Sequence, residues 1–204
     1  MNPDANFTEG NQKKLLTQIS LGDQSSFRQL YHRFYKKLLQ FAFVLTRNKE
    51  VAEELVEDVF IKFWKNRKNA ENIRNVKVYL YTATKNTCLN YLSSKAQENI
   101  TQPFDAITIE LANPLSPDQI LIYRETYTKI KTAIETLPPR CKMIFKLIRE
   151  DGLKYKEVAE ILNLSASTIE AQMTIAIRRI AFIIQEDLEK TLVSLNPKNK
   201  SKNF

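Results

Sequence analysis

The densest charge in this sequence is acidic, and it lies between residues 49 and 65. Five carboxylates fall within nine residues, and helical spacing puts them opposite an apolar stripe. Such a face binds by charge: it is either an ordinary solvated helix surface or a docking surface for a basic protein. We call the carboxylates the acidic face: Glu50, Glu53, Glu54, Glu57 and Asp58. The stripe comprises Val51, Leu55, Val56, Val59, Phe60 and Phe63.

The sign of the charge inverts directly after the acidic face. Basic residues alternate there with aromatic ones, a pattern suited to single-stranded nucleic acid, since cations follow the phosphates and bases stack on rings. The polar loop 66–75, which ends at Asn75, is suited to holding an unstacked base by its edges. Of the aromatics we expect Tyr81 in the core and choose Trp64 and Tyr79 as stacking candidates. The basic residues are Lys62, Lys65, Arg67, Lys68, Arg74, Lys77 and Lys85.

A second pattern that predicts binding lies near the carboxyl end, in residues 154–180. A short amphipathic helix is followed by Asn163, which tolerates a left-handed backbone, and by Ser165, a candidate N-cap. A second helix then follows, with an inward stripe and a small or polar outer face. Two helices joined by a tight turn predict either a helix-turn-helix that reads a DNA major groove or an ordinary helical corner. The inward stripe is Ile169, Met173, Ala176, Ile177 and Ile180; the outer face is Ser167, Thr168, Glu170, Ala171, Thr174 and Arg178.

The composition argues against an enzyme. The 204 residues include one His, two Cys and three Gly, too few for a zinc site, a Gly-rich phosphate loop or His-assisted nucleophilic catalysis. We therefore expect no cofactor, metal or small-molecule substrate, and a small helical nuclease is the weakest alternative. The net charge of +8 favours nucleic acid over membrane as the anionic partner. Without a signal peptide or a spanning apolar run, the chain is expected to be cytoplasmic.

Helices must position both patterns, so the expected fold class is all-α, with two small helical domains on a flexible linker. Pro138 and Pro139 should end one helix and begin the next. The predicted helices are 11–21, 24–46, from Asn48 to about Trp64, 76–94, from about Leu121 to Leu137, 140–150 and the two helices of 154–180. The predicted divisions are a first domain at 10–95, a linker at 96–120, a second domain at 121–190 and a disordered tail at 191–204.

Three segments together resemble bacterial sigma-70-type factors. VAEELVEDVFIKFW resembles their core-polymerase-binding helix, YLYTATKNTCLNYL their promoter –10 helix, and LPPRCKMIFKLIREDGLKYKEVAEILNLSASTIEAQMTIAIRRI their –35 helix-turn-helix domain. The size and the short linker resemble the extracytoplasmic-function (ECF) subgroup, which keeps only regions 2 and 4. TIEAQMTIAIRRI further resembles the Bacteroidetes branch.

The resemblance implies binding to core RNA polymerase, to promoter DNA (melted at –10, duplex at –35) and to an anti-sigma factor. It implies core-polymerase contacts at Glu53, Glu54, Glu57, Asp58 and Lys62. It implies –10 contacts at Trp64, Lys65, Arg67, Lys68, Arg74, Asn75, Lys77, Tyr79, Lys85 and Asn86. It implies –35 contacts at Lys154, Ser165, Ser167, Thr168, Glu170, Ala171, Thr174 and Arg178.

Two positions depart from many relatives, which carry Lys or Arg where this chain has Glu170 and Gln172. Glu accepts from cytosine N4 and Gln pairs with adenine, so the –35 preference should differ from that of the commoner forms. The alternative to a sigma factor is a stand-alone helix-turn-helix transcriptional regulator, whose first domain dimerises or senses and does not need the acidic face.

Overall fold

A computed structural model describes residues 9–98 and 130–195. All regular structure in these ranges is helical, as predicted. The helices are α1 (Glu9–Ser20), α2 (Gln24–Thr46), α3 (Lys49–Lys65), a 3₁₀ helix (Arg67–Asn72), α4 (Val76–Glu98), α5 (130–135), α6 (Pro139–Arg149), α7 (Tyr155–Leu162) and α8 (Ala166–Leu195).

Side-chain caps fix the starts of α2 and α3. The Asn48 side chain accepts a hydrogen bond from the Val51 amide at 3.0 Å, which confirms the predicted N-cap of α3. Asp23 does the same for α2, accepting from the Ser26 amide at 2.9 Å. Hydrogen bonds led by that from the Ser26 side chain lower the pKa of Asp23. Asp23 was not predicted as a cap, although Asp directly before an apolar helical pattern is a recognisable start signal.

In α1–α4, the core forms where α2 packs against both α3 and α4 and where α1 packs against the 3₁₀ helix. The predicted apolar stripe of α3 is buried from Leu55 to Phe63, whereas Val51 at its start is only partly covered. Because one side of α3 is buried, its carboxylates point to solvent. Tyr81 is fully buried and meets Phe41 edge-on with ring centroids 5.3 Å apart, as expected for a core residue.

In α5, α6 and α8, a small apolar cluster supports α8. Ile134, Leu137, Cys141 and Ala176 are its buried members, with Phe145 and Ile180 packed against them. The Cys141 thiol donates to the Gln172 carbonyl oxygen at 3.2 Å, which ties α6 to α8. Burial raises the pKa of Cys141, as it raises that of Cys88 to about 12. Both thiols are buried and free.

The turn before α8 follows the predicted pattern. Asn163 has φ 54°, the left-handed conformation expected of it, and the Leu164 amide donates to the Ala159 carbonyl oxygen at 2.9 Å. Ser165 accepts from the Thr168 amide at 3.0 Å, which confirms it as a cap. Pro139 begins α6, as expected.

Two details of α8 correct the sequence analysis. Ile177 was assigned to the inward stripe, but it is 46% exposed. At 100° per residue it lies about 80° around the helix from Ile169, beyond the width that the neighbouring helices cover. Residues 191–195, assigned to the tail, are helical. The predicted linker at 96–120 lies outside the described residues beyond Glu98, so the domain boundaries stay a prediction.

Among the described residues, two compact units are distinguished. The first holds α1–α4 and residues 156–164, and the second holds residues 130–155 and 165–195.

Candidate protein and nucleic-acid interfaces

The acidic face lies on the solvent side of α3. Glu54 and Glu57 are exposed, and Glu53 and Asp58 are partly exposed. Lys62 lies 3.8 Å from Asp58, at the i, i+4 spacing of a helix-surface ion pair. Both side chains are more than half exposed, so the pair adds only a few tenths of a kcal/mol, about 0.3–0.5. A charged partner can therefore displace it at little cost.

Two tyrosines of α2 border the acidic face, and the sequence analysis did not select them. Tyr31 and Tyr35 are half-buried, with ring centroids 4.7 Å apart. Burial is the largest cause of a raised pKa at both phenols, and the charge of Glu57 raises both further. Their spacing did not mark them as site residues, because an aromatic residue at helical spacing is typical of a helix face packed in the core. Only the packing of α2 on α3 brings them beside Glu57.

Trp64, chosen as a stacking candidate, has partners on its ring. The Phe27 ring lies 4.8 Å from it, and the Arg67 guanidinium carbon lies 4.6 Å from its centroid. Arg67 also donates to the Trp64 carbonyl oxygen at 3.1 Å. These contacts fold the start of the predicted loop into a 3₁₀ helix and hold Trp64 half-buried.

The other stacking candidate, Tyr79, is 40% exposed on α4. It contacts Phe63 edge-on, with ring centroids 5.9 Å apart. Asn86, two turns further along α4, is exposed as well. A ring and a carboxamide thus share the solvent side of this helix.

The predicted basic residues near α4 differ in exposure. Lys65, Lys68 and Arg74 are exposed and Lys77 is half-buried. Lys85 is only 7% exposed, and its desolvation lowers its pKa. The structure therefore does not bring Lys85 to the surface that the others share.

Asn75 has a structural use in α4. Its side-chain oxygen accepts from the Val78 amide at 3.2 Å, and its carbonyl oxygen accepts from the Tyr79 amide. The residue caps the helix that carries Tyr79.

The outer face of α8 is largely open to solvent. Ser167, Glu170, Ala171, Thr174 and Arg178 are exposed and Thr168 is half-buried; Lys154, before α7, is exposed. The three hydroxyls of this face are engaged locally: the Ser167 hydroxyl lies 2.9 Å from that of Ser165. Ser165 lies 2.7 Å from the Thr168 hydroxyl, and Thr174 donates to the Glu170 carbonyl oxygen at 3.0 Å. The charged ends of Glu170 and Arg178 are left as the strongest polar groups of this face.

The described residues show neither a metal-binding cluster nor a membrane-spanning helix. No group of three or more His, Cys, Asp or Glu side chains is placed to hold a metal ion in 9–98 or 130–195. In the same ranges, no helix has both the length and the apolar character needed to cross a bilayer.

Comparison with known families gives two matches in order along the chain. Sigma-70 region 2 matches residues 30–98, and Sigma-70, region 4 matches residues 127–180. Together they span more than half of the chain. A stand-alone regulator does not need a region 2, so the first match counts against that alternative.

Among curated proteins, the chain is similar to the ECF RNA polymerase sigma-E factor of Escherichia coli K12, with 25% identity over 166 residues. This alignment covers 78% of the chain and 86% of the relative. The ECF RNA polymerase sigma factor SigW of Bacillus subtilis is 23% identical over 168 residues, 79% of this chain and 90% of SigW.

Two solved structures share the fold. The sigma factor RpoE of Bartonella quintana, in complex with the anti-sigma factor NepR, aligns with TM-score 0.55 and 23% identity, covering 78% of this chain and 96% of that chain. CnrH, in complex with the cytosolic domain of CnrY, aligns with TM-score 0.52 and 17% identity, covering 86% and 98%.

Proposed function

Because the chain belongs to the sigma-70 family, in its extracytoplasmic-function group, we propose how its surfaces divide the work of an RNA polymerase sigma factor. The acidic face of α3 docks on core RNA polymerase, the surface around α4 captures the –10 strand, and α8 reads the –35 duplex. The protein directs promoter-specific initiation. It contributes binding and positioning, and the polymerase does the chemistry.

One observation carries this assignment: charge of opposite sign is segregated at the two ends of α3. The exposed carboxylates Glu54 and Glu57 precede the exposed Lys65 and Lys68 by only a few turns of chain. Opposite potentials this close suit a protein that binds a basic protein and a nucleic acid at once.

For the –10 strand, we assign base contacts to Tyr79 and Asn86, whose side chains lie on the solvent side of α4. Stacking on one such ring contributes about 1–3 kcal/mol per base. The exposed cations around the 3₁₀ helix, together with Lys77, are assigned to phosphates. Trp64 and Arg67 pack on each other and hold the 3₁₀ helix that carries these cations. Asn75 caps α4, and Lys85 lies on its buried side.

For the –35 duplex, the exposed side chains at the start of α8 are suited to base edges. Glu170 can accept from the N4 amine of cytosine, whereas Arg178, two turns later, is suited to a phosphate. The N-terminus of α8 and Lys154 add further phosphate contacts.

These two roles predict different behaviour for two variants. Arg178→Ala should weaken binding about equally across duplex sequences and flatten the slope of log K against log salt by about one unit. Glu170→Ala should instead change the preferred base, by about 1–3 kcal/mol of discrimination at one position. Fluorescence anisotropy with a panel of –35 duplexes at several salt concentrations measures both.

Arg28, exposed on α2, offers a matched control for lost positive charge. Arg28→Ala should leave the salt slope on a –35 duplex unchanged. If Arg178→Ala and Glu170→Ala alter base preference in the same way, the division into reading and positioning roles is wrong.

An anti-sigma factor is the proposed regulator. RpoE of Bartonella quintana was co-crystallised with its anti-sigma factor NepR, and we extend that kind of partner to this chain. The place of action is the bacterial cytoplasm, where core polymerase and promoter DNA are found.

The experiment that tests the proposal is gel filtration of the purified chain with purified core RNA polymerase of the source bacterium. Co-elution, followed by transcription from a promoter that core polymerase alone does not use, is the expected result. A folded chain that neither co-elutes nor supports transcription would contradict the docking role of α3.

A further inference from the structure

The tyrosine pair on α2 is fixed in place against α3. The rings of Tyr31 and Tyr35 are stacked with an interplanar angle of 23°. Tyr31 also lies 4.8 Å from the buried ring of Phe60. The pair therefore has a defined position and loses little conformational freedom when something binds to it.

Carboxylates of the acidic face lie beside this pair. Tyr31 packs on Phe60, which lies one turn after Glu57 on α3. The charge of Glu57 raises the pKa of both phenols, and that of Glu53 raises the pKa of Tyr35. Glu57 is exposed and Glu53 is half-buried. We call Tyr31, Tyr35, Glu53 and Glu57 the tyrosine seam, because it follows the line where α2 meets α3.

An aromatic face beside a carboxylate is the environment that a guanidinium group prefers. The planar guanidinium stacks on a ring while its N–H groups form paired hydrogen bonds to a carboxylate. A lysine ammonium is more strongly hydrated and cannot make the planar contact. An acidic partner is repelled by Glu57, and an apolar one would leave the carboxylates without new hydrogen bonds.

The two rings differ in how many aromatic neighbours they have. Tyr31 contacts Tyr35, Phe60 and the edge of His32. Within the described ranges, the ring of Tyr35 has one aromatic neighbour, Tyr31, and the residue is half-buried. The outer face of Tyr35 is therefore the one suited to a ligand.

We propose that the tyrosine seam receives an arginine side chain of core RNA polymerase, with its guanidinium stacked on Tyr35 and hydrogen-bonded to Glu57. This rests on the proposed docking of α3 and extends that surface from α3 onto α2. Ile61 lies one turn after Glu57 and is 49% exposed. It gives the partner an apolar contact next to the proposed guanidinium group. Specificity for core polymerase thus depends on two helices, and the sequence pattern marks only one of them.

The test is the affinity of full-length variants for purified core RNA polymerase. Tyr35→Ala should weaken binding about tenfold, while Tyr35→Phe, which keeps the ring, should stay within about twofold. Tyr91→Ala, at a half-buried tyrosine on α4, is the matched control and should bind as the wild type does. The effects of Tyr35→Ala and Glu57→Gln should be less than additive when combined, because both residues hold the same group.

Placing pentafluorophenylalanine at position 35 separates a cation from an apolar partner. Fluorine withdraws electron density from the ring face. If a guanidinium stacks there, the pentafluorophenylalanine variant should lose as much affinity for core polymerase as Tyr35→Ala does. Affinity equal to that of Tyr35→Phe would overturn the arginine assignment.

Two further outcomes separate the seam from the docking surface. If Glu57→Gln weakens binding and Tyr35→Ala does not, the seam is wrong and the docking role of α3 stands. If the wild type does not bind core polymerase, both are wrong.

Discussion

Reversing two charges on the acidic face, in the variant Glu54→Lys/Asp58→Lys, should abolish co-elution with core RNA polymerase. Like charges brought together at an interface cost several kcal/mol, so two reversals should lower the affinity by about two to three orders of magnitude. Glu54 is exposed, and Asp58 is partly exposed and pairs with the exposed Lys62. The fold should therefore survive, which the helical circular-dichroism signal and its thermal midpoint will check.

A matched double reversal controls for net charge. Glu160 on α7 and Glu186 on α8 are exposed carboxylates outside the acidic face. The variant Glu160→Lys/Glu186→Lys gains the same positive charge and should still co-elute. If both double variants lose the polymerase, the effect is one of net charge, and the assignment of the docking surface to α3 is wrong.

The second large effect concerns stability and comes from an ion pair in α5 and α6. Lys142 Nζ lies 2.8 Å from Glu135 Oε2, and its side chain is only 3% exposed against 29% for Glu135. The other oxygen, Glu135 Oε1, is buried without a hydrogen-bond partner among the described residues. Removal of one partner from a buried pair is costly because the other charge is left uncompensated.

The difference in exposure predicts an order among three variants. Glu135→Gln leaves the more deeply buried charge without its carboxylate and should lower the free energy of unfolding by about 2–3 kcal/mol. Lys142→Met leaves Glu135, whose side chain is 29% exposed, and should cost less, about 1 kcal/mol. The double variant Glu135→Leu/Lys142→Met should come within about 1 kcal/mol of the wild type, because no charge is left behind.

Amide hydrogen exchange measured on peptides from α6 and α8 checks this order, because it reports local opening free energy in a chain with two compact units. Peptides from α3 serve as the internal control and should exchange as in the wild type. A larger loss for Lys142→Met than for Glu135→Gln would mean that Glu135 is the less hydrated of the two charges, contrary to their exposures. Loss of α8 packing should also weaken –35 binding in Glu135→Gln.

The sequence alone determined the features that depend on neighbours along the chain. Asn48, Asn163 and Ser165 act within three or four residues, so their side-chain chemistry is enough to predict helix starts and stops. The acidic face followed from the periodicity of α3, since a helix that buries one side must expose the other. The order of the three resembling segments predicted the family, and the matches to regions 2 and 4 confirmed it.

The tertiary structure decided everything that depends on how far a neighbouring helix reaches. Periodicity gives the direction of a side chain but not the width of the surface that packing covers, so Lys85 is buried and Ile177 is exposed. Trp64 acquired Phe27 as a partner through packing that no spacing predicts. The tyrosine seam forms only because α2 crosses α3 beside Glu57, which joins residues more than twenty positions apart.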